Sequence, residues 1–117
     1  MTLQKIRKSL DLIKLPGTVE GQPFVIEDCE DCIVKVLDFC DQVQIDDVKR
    51  SKIFIGASSE SIFIRNCEDC VFTIACKQLR TRDCNNCELY VYCKTEPIIE
   101  TSSNMRFVPS VFMKCSF

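Results

Sequence analysis

Histidine is absent from this 117-residue chain, and glycine occurs only three times. Without histidine there is no Ser-His or Cys-His pair, so the common route to an activated nucleophile is closed. Three scattered glycines cannot build a phosphate-cradling loop of the Walker type. No apolar run is long enough to span a bilayer. No charged-then-apolar leader opens the chain, and no glycine follows Met1, so neither export nor an N-terminal myristoyl anchor is expected. A net charge of −2 provides no general field for nucleic acid or an anionic membrane.

Cysteine, by contrast, is abundant, with ten residues. Disulfides would require an exported chain. Zinc is suggested by Cys29/Cys32, Cys67/Cys70 and Cys84/Cys87, all at C-x-x-C spacing. The third reading is a small buried hydrophobe filling a tight interior. An internal repeat separates the three. Phe24–Ile33, Val43–Lys52, Ile62–Val71, Leu79–Glu88 and Pro97–Arg106 align without gaps, as apolar, x, apolar, x, Asp/Asn-like, Cys-like, x, x, Cys-like. The first cysteine column then runs Cys29, Val48, Cys67, Cys84, Ser102, and the second Cys32, Ser51, Cys70, Cys87, Met105. Valine and methionine cannot replace a zinc thiolate but can fill an interior place, so a packed ladder is expected and no metal site.

A repeat below about 20 residues with two short alternating strands per unit predicts a β-solenoid. The expected fold is all-β, a right-handed parallel β-helix of about five rungs. Strand alternation turns Phe24, Val43, Ile62, Leu79 and Pro97 inward, with Ile26, Ile45, Ile64, Thr81 and Ile99 as a second inward column. A second strand contributes Val34, Ile53, Phe72, Leu89 and Phe107. Solenoid ends need covers. Leu3, Ile6, Leu10 and Ile13 fall at helical spacing among Lys5, Arg7 and Lys8, so Thr2–Ile13 reads as an amphipathic cap or, alternatively, a partner- or membrane-contacting helix. The division expected is a cap over 1–14 and the β-helix over 15–117, with Val108–Phe117 able to cover the last rung.

Function belongs on the outward columns. One reads Glu27, Asp46, Arg65, Arg82, Glu100, with acid facing base at Asp46–Arg65 and Arg82–Glu100. The other reads Val25, Gln44, Phe63, Arg80, Ile98. Arg80 stands there between an exposed aromatic and an exposed aliphatic residue, a composition typical of interaction hot spots; scattered surface apolars are the plainer alternative.

Leu15–Cys32, Ile62–Cys84 and Glu96–Phe107 resemble the tubulin-binding cofactor C domain family over most of the chain. The resemblance implies the same β-helix and a GTPase-activating role acting in trans on tubulin or an Arf-like small GTPase, with GTP and Mg held by the partner and no cofactor in this chain. It implies an arginine finger from a C-Q-Q-(F/L)-R motif, here Cys76-Lys77-Gln78-Leu79-Arg80, so that Arg80 matches the finger and Gln78 and Lys77 its helpers. The first glutamine is replaced by Lys77, which adds charge but lacks the amide acceptor. Glu100 matches a family position at the GTPase interface, and Phe63, Arg65, Arg82 and Ile98 lie beside it. A monomer in the cytoplasm, at a cilium or basal body, is the corresponding expectation. A binding-only effector or cytoskeletal adaptor is the alternative.

Overall fold

The computed structural model describes residues 2–4, 11–15, 17 and 19–109. Every element among them is a strand, and every pairing is parallel. One six-stranded sheet has the order β1 (Thr2–Gln4), β3 (Phe24–Glu30), β5 (Val43–Lys49), β7 (Ser61–Arg65), β9 (Gln78–Arg82), β11 (Ile98–Glu100). The other has the order β2 (Asp11–Lys14), β4 (Ile33–Cys40), β6 (Lys52–Ser58), β8 (Val71–Cys76), β10 (Asn85–Cys93), β12 (Ser103–Pro109). The chain passes from one sheet to the other at every step, which is a parallel β-solenoid. The strand registers Phe24↔Val43, Val43↔Ile62, Ile62↔Leu79 and Thr81↔Ile99 reproduce the gap-free alignment of the repeats.

The interior follows from the alternation. Phe24, Ile26, Val43, Ile45, Ile62, Ile64 and Leu79 from the first sheet meet Val34, Ile53, Phe72 and Leu89 from the second, all at 2 % exposure or less. Each such side chain contributes about 1.5–3 kcal/mol relative to leaving it in water. The expected inward places at the last rung differ. Ile99 is 48 % exposed and Pro97 is exposed, because β11 is the edge strand of its sheet and no further strand among the described residues covers it.

The N-terminal helix expected over Thr2–Ile13 is also corrected. Strands β1 and β2 occupy both ends of that segment and extend each sheet by one strand. An extended segment pairs with the edge N–H and C=O groups of β3 and β4, which a helix would leave open. Residues 5–10 lie outside the described residues, as do residues 110–117 of the expected C-terminal cover.

The corner from the first sheet to the second explains the Asp/Cys motif. Asp28, Asp47, Asn66, Asp83 and Thr101 form one column of left-handed residues, and Asp31, Arg50, Asp69, Asn86 and Asn104 a second, with φ between 44° and 55°. Asn and Asp tolerate this region best among residues with a side chain. One residue after each bend the chain turns inward, at the two cysteine columns. There the thiol donates to the carbonyl two residues back: Cys32 to Glu30 at 3.0 Å, Cys70 to Glu68 at 3.2 Å, Cys67 to Arg65 at 3.3 Å, Cys84 to Arg82 at 3.4 Å. Ser51 and Ser102 do the same, to Lys49 and Glu100, both at 2.9 Å. Serine and cysteine therefore interchange because each is small and each supplies a donor to a corner carbonyl. Among the described residues no group of three or more His, Cys, Asp or Glu side chains is arranged to hold a metal ion.

Candidate functional site

The outward column of the first sheet places Val25 beside Gln44, Gln44 beside Phe63, Phe63 beside Arg80 and Arg80 beside Ile98. Alternation in β9 buries Leu79 and Thr81 and sends Gln78, Arg80 and Arg82 to the outer face, with Gln78 half-buried and both arginines exposed. Ile98 is exposed, at 39 %.

Phe63 is the centre of the cluster. The Arg80 guanidinium carbon lies 5.1 Å from the ring centroid and that of Arg65 lies 5.2 Å from it, both within cation–π range. The two arginines are held differently. Arg65 is locked by a two-point pair with Asp46, Nε to Oδ1 at 2.9 Å and Nη2 to Oδ2 at 3.0 Å, which raises its pKa further. Besides the Phe63 ring, Arg80 has one ion-pair partner among the described residues, Nη2 to Glu100 Oε1 at 3.2 Å, with both side chains nearly half exposed. An ion pair that open to water contributes only about 0–1 kcal/mol. Arg80 is thus aimed at solvent and loosely held, with most of its five donors available to an anion.

Of the two ladder pairs expected from sequence, Asp46–Arg65 is present. Glu100 instead reaches diagonally to Arg80, although Arg82 is its register partner, and Arg82 has Asp83 at 4.0 Å.

Lys77 alone connects β8 to β9. Its N–H donates to the Glu60 carbonyl at 2.9 Å, and its own carbonyl accepts from Thr95 N at 3.2 Å and Thr95 Oγ1 at 3.3 Å. Its side chain is exposed, three residues before Arg80. A shallow cavity of about 370 Å³ opens beside Arg80 and Phe63, floored by Val25, Gln44 and Ser61. The cluster offers a cation, an aromatic face and amides but no nucleophile or proton-transfer pair, so it suits recognition and charge neutralisation of an anionic group on another molecule.

Sequence reasoning missed a third interior column, Cys40, Ser58, Cys76 and Cys93, on the second sheet. Its signal was present, since the spacings of 18, 18 and 17 residues match the rung length and the Ser/Cys exchange recurs. Thr81 is buried in the aliphatic column as its position in the repeat predicts, and its Oγ1 has no hydrogen-bond partner among the described residues.

The family model for tubulin binding cofactor C matches residues 21–114. The chain belongs to the tubulin binding cofactor C family. Among curated members it is 50 % identical to Protein XRP2 of Homo sapiens over 94 residues, covering 80 % of this chain and 27 % of that protein. It is 26 % identical to tubulin-specific chaperone C of Mus musculus over 102 residues, covering 87 % of this chain and 30 % of the chaperone. The solved structure of Tubulin Binding Cofactor C from Leishmania major superimposes with a TM-score of 0.54 at 28 % identity, covering 87 % of this chain and 49 % of that one. The chain therefore spans less than a third of the length of these curated cofactor C relatives.

Proposed function

We propose that this cofactor C domain is a GTPase-activating module that supplies Arg80 in trans to the nucleotide of an Arf-like small GTPase or of tubulin. The observation that carries the reading is the state of Arg80. It is exposed on a flat parallel sheet, braced on Phe63 and restrained by a single solvent-open carboxylate, at the position that matches the family's finger. A guanidinium inserted at the transferring phosphoryl group neutralises charge that builds in the transition state, and such fingers contribute on the order of 10³–10⁵-fold in rate. In this reading Gln78 and Lys77 assist at the nucleotide. Ile98, Phe63, Arg82 and Glu100 form the docking surface, while Arg65, already saturated by Asp46, shapes it. GTP and Mg belong to the partner. A cytoplasmic site of action, at a cilium or basal body, is part of the proposal.

The test is single-turnover GTP hydrolysis by Arf-like GTPases and by tubulin with wild-type domain and with Arg80→Ala. Wild type is expected to accelerate hydrolysis and Arg80→Ala to lose nearly all of the effect while retaining its circular dichroism spectrum. Equal stimulation by both proteins refutes the finger role. Lys77 favours a second reading, a binding-only effector that prefers the GTP state without speeding its hydrolysis. Restoration of stimulation by Lys77→Gln would select that reading for the wild-type chain.

A further inference from the structure

The third interior column contains two thiols that the proposed GTPase role does not use. Cys76 and Cys93 are direct register partners in β8 and β10. Neighbouring parallel strands lie about 4.8 Å apart, inside the Cα separation of about 4.4–6.8 Å that a disulfide spans. The Cys93 thiol lies close enough to Cys76 to influence its ionisation, and it donates to the Lys77 carbonyl at 3.5 Å. Two other thiol pairs are stacked in the same way, Cys67 with Cys84 and Cys70 with Cys87, but both members of each are sealed in the corner at 1 % exposure. Cys93 differs. It is half-buried, the one described cysteine that is not fully buried, and it lines an open, largely apolar cavity of about 410 Å³ with Val91, Lys94, Pro97 and Phe107.

We propose that Cys76 and Cys93 are a redox-sensitive dithiol that low-molecular-weight disulfides convert to an intramolecular disulfide, entering through this cavity. The Cys93 thiolate attacks one sulfur of the small disulfide, forming a mixed disulfide and expelling one thiolate into the cavity. The Cys76 thiol then gives up its proton, and its sulfur attacks the Cys93 sulfur and expels the second thiolate. Two protein thiols are oxidised, the small disulfide is reduced to two thiols, and the two protons released are taken up by those leaving groups. The order follows from access, and burial pushes the Cys76 thiol up, which disfavours it as the first attacker and leaves its attack to the second step, where the Cys93 sulfur is held beside it. Closure removes the S–H that Cys93 offers to Lys77, loosening the bend that precedes Arg80. The inference is independent of the GTPase reading.

The full chain is incubated natively with oxidised glutathione, alkylated, digested and mapped by mass without reduction. The expected product is a peptide pair linked through Cys76 and Cys93, lighter by two hydrogens than the free pair. Cys76→Ser is expected to stop at a glutathione adduct on Cys93, and Cys93→Ser to leave Cys76 unmodified. Serine is already accommodated fully buried at Ser58, the register partner of Cys40, and circular dichroism checks that both variants fold. A wild-type adduct that persists on Cys93, a bridge to Cys115 or to a corner cysteine, or a disulfide between two chains would each overturn the proposal.

Discussion

The two corners of each rung follow different rules. From Phe24 to Val34, Val43 to Ile53, Ile62 to Phe72, Leu79 to Leu89 and Pro97 to Phe107 the chain always advances ten residues, through the corner of left-handed Asp/Asn residues and inward cysteines. The return is irregular. Val34 to Val43 and Ile53 to Ile62 take nine residues, Phe72 to Leu79 seven, and Leu89 to Pro97 eight. The first corner is fixed by its own hydrogen bonds, since a bend and an inward donor recur at set places. The second has no such internal code and can be trimmed or extended. Lys77, the shortest return, leads directly into Gln78 and Arg80, and the adjacent return holds Cys93. The rigid corner supplies a register, and the free corner is where that register can be spent on chemistry.

Insertions should break this symmetry most visibly. One alanine between Glu68 and Asp69 puts β8 a residue out of phase, which exchanges its buried and exposed faces and sends Phe72 and Ile74 outward. Loss of cooperative unfolding is expected in a urea titration followed by circular dichroism. The same insertion between Thr95 and Glu96 only lengthens an exposed return and should cost less than about 1 kcal/mol. Equal damage from both would show that the corners do not differ in the way described.

The backbone of the rigid corner can be tested one residue at a time. Asn66 sits at φ 51°, with its N–H bonded to the Arg82 carbonyl. A β-branched residue pays a steric penalty there, so Asn66→Val should destabilise by about 2 kcal/mol, while Asn66→Gly should be nearly neutral. Lys77 has an ordinary φ, and Lys77→Val should stay within about 0.5 kcal/mol. Urea midpoints at constant slope would report all three.

Much of this was legible before any coordinates, for a physical reason. Parallel stacking without gaps copies the two-residue side-chain period from rung to rung, so register, the Cys/Ser ladder and the outward direction of Arg80 all follow from one alignment. Apart from the Cys40, Ser58, Cys76 and Cys93 column, whose spacing was there to be read, what was missed lay where that copying stops. Strands β1 and β2 are three and four residues long, too short to display alternation, and Leu3, Ile6, Leu10 and Ile13 happen to fit a helical period. Ile99 obeys the pattern but lies on the edge strand. Glu100 prefers Arg80 to Arg82 because long side chains reach diagonal neighbours, and that choice depends on side-chain paths that column position does not encode.

Thr81 is the exception inside the regular half. Its hydroxyl occupies a column otherwise filled by Ile26, Ile45, Ile64 and Ile99, buried and unpartnered. Thr81→Val keeps the shape and removes the orphan, so stabilisation of about 1 kcal/mol is expected in thermal unfolding. The substitution leaves the outward places of β9 in position, so any GTPase stimulation should be retained. A destabilised variant would mean that the hydroxyl has a partner in solution.

The smallest effect concerns how the chain enters the solenoid, where neither corner rule applies. Asp38 turns inward from β4, and its Oδ2 accepts Val19 N–H at 2.8 Å and Glu20 N–H at 2.7 Å, fixing Val19 in the core. The Glu20 N–H bond in particular, with that of Val19, holds its carboxyl below the usual carboxylate range against the opposing effect of burial. A lowered folded pKa means that the stabilisation is complete above the unfolded value of about 3.9 and fades as pH falls through the lower folded value. Asp38→Asn should therefore melt at a lower temperature than wild type at neutral pH, and the gap should close only below about pH 4. Because the backbone ladder of β3 to β10 does not depend on this carboxylate, unfolding should remain a single transition in both proteins. A gap that persists unchanged well into acid would assign Asp38 a packing role rather than that of a charged acceptor.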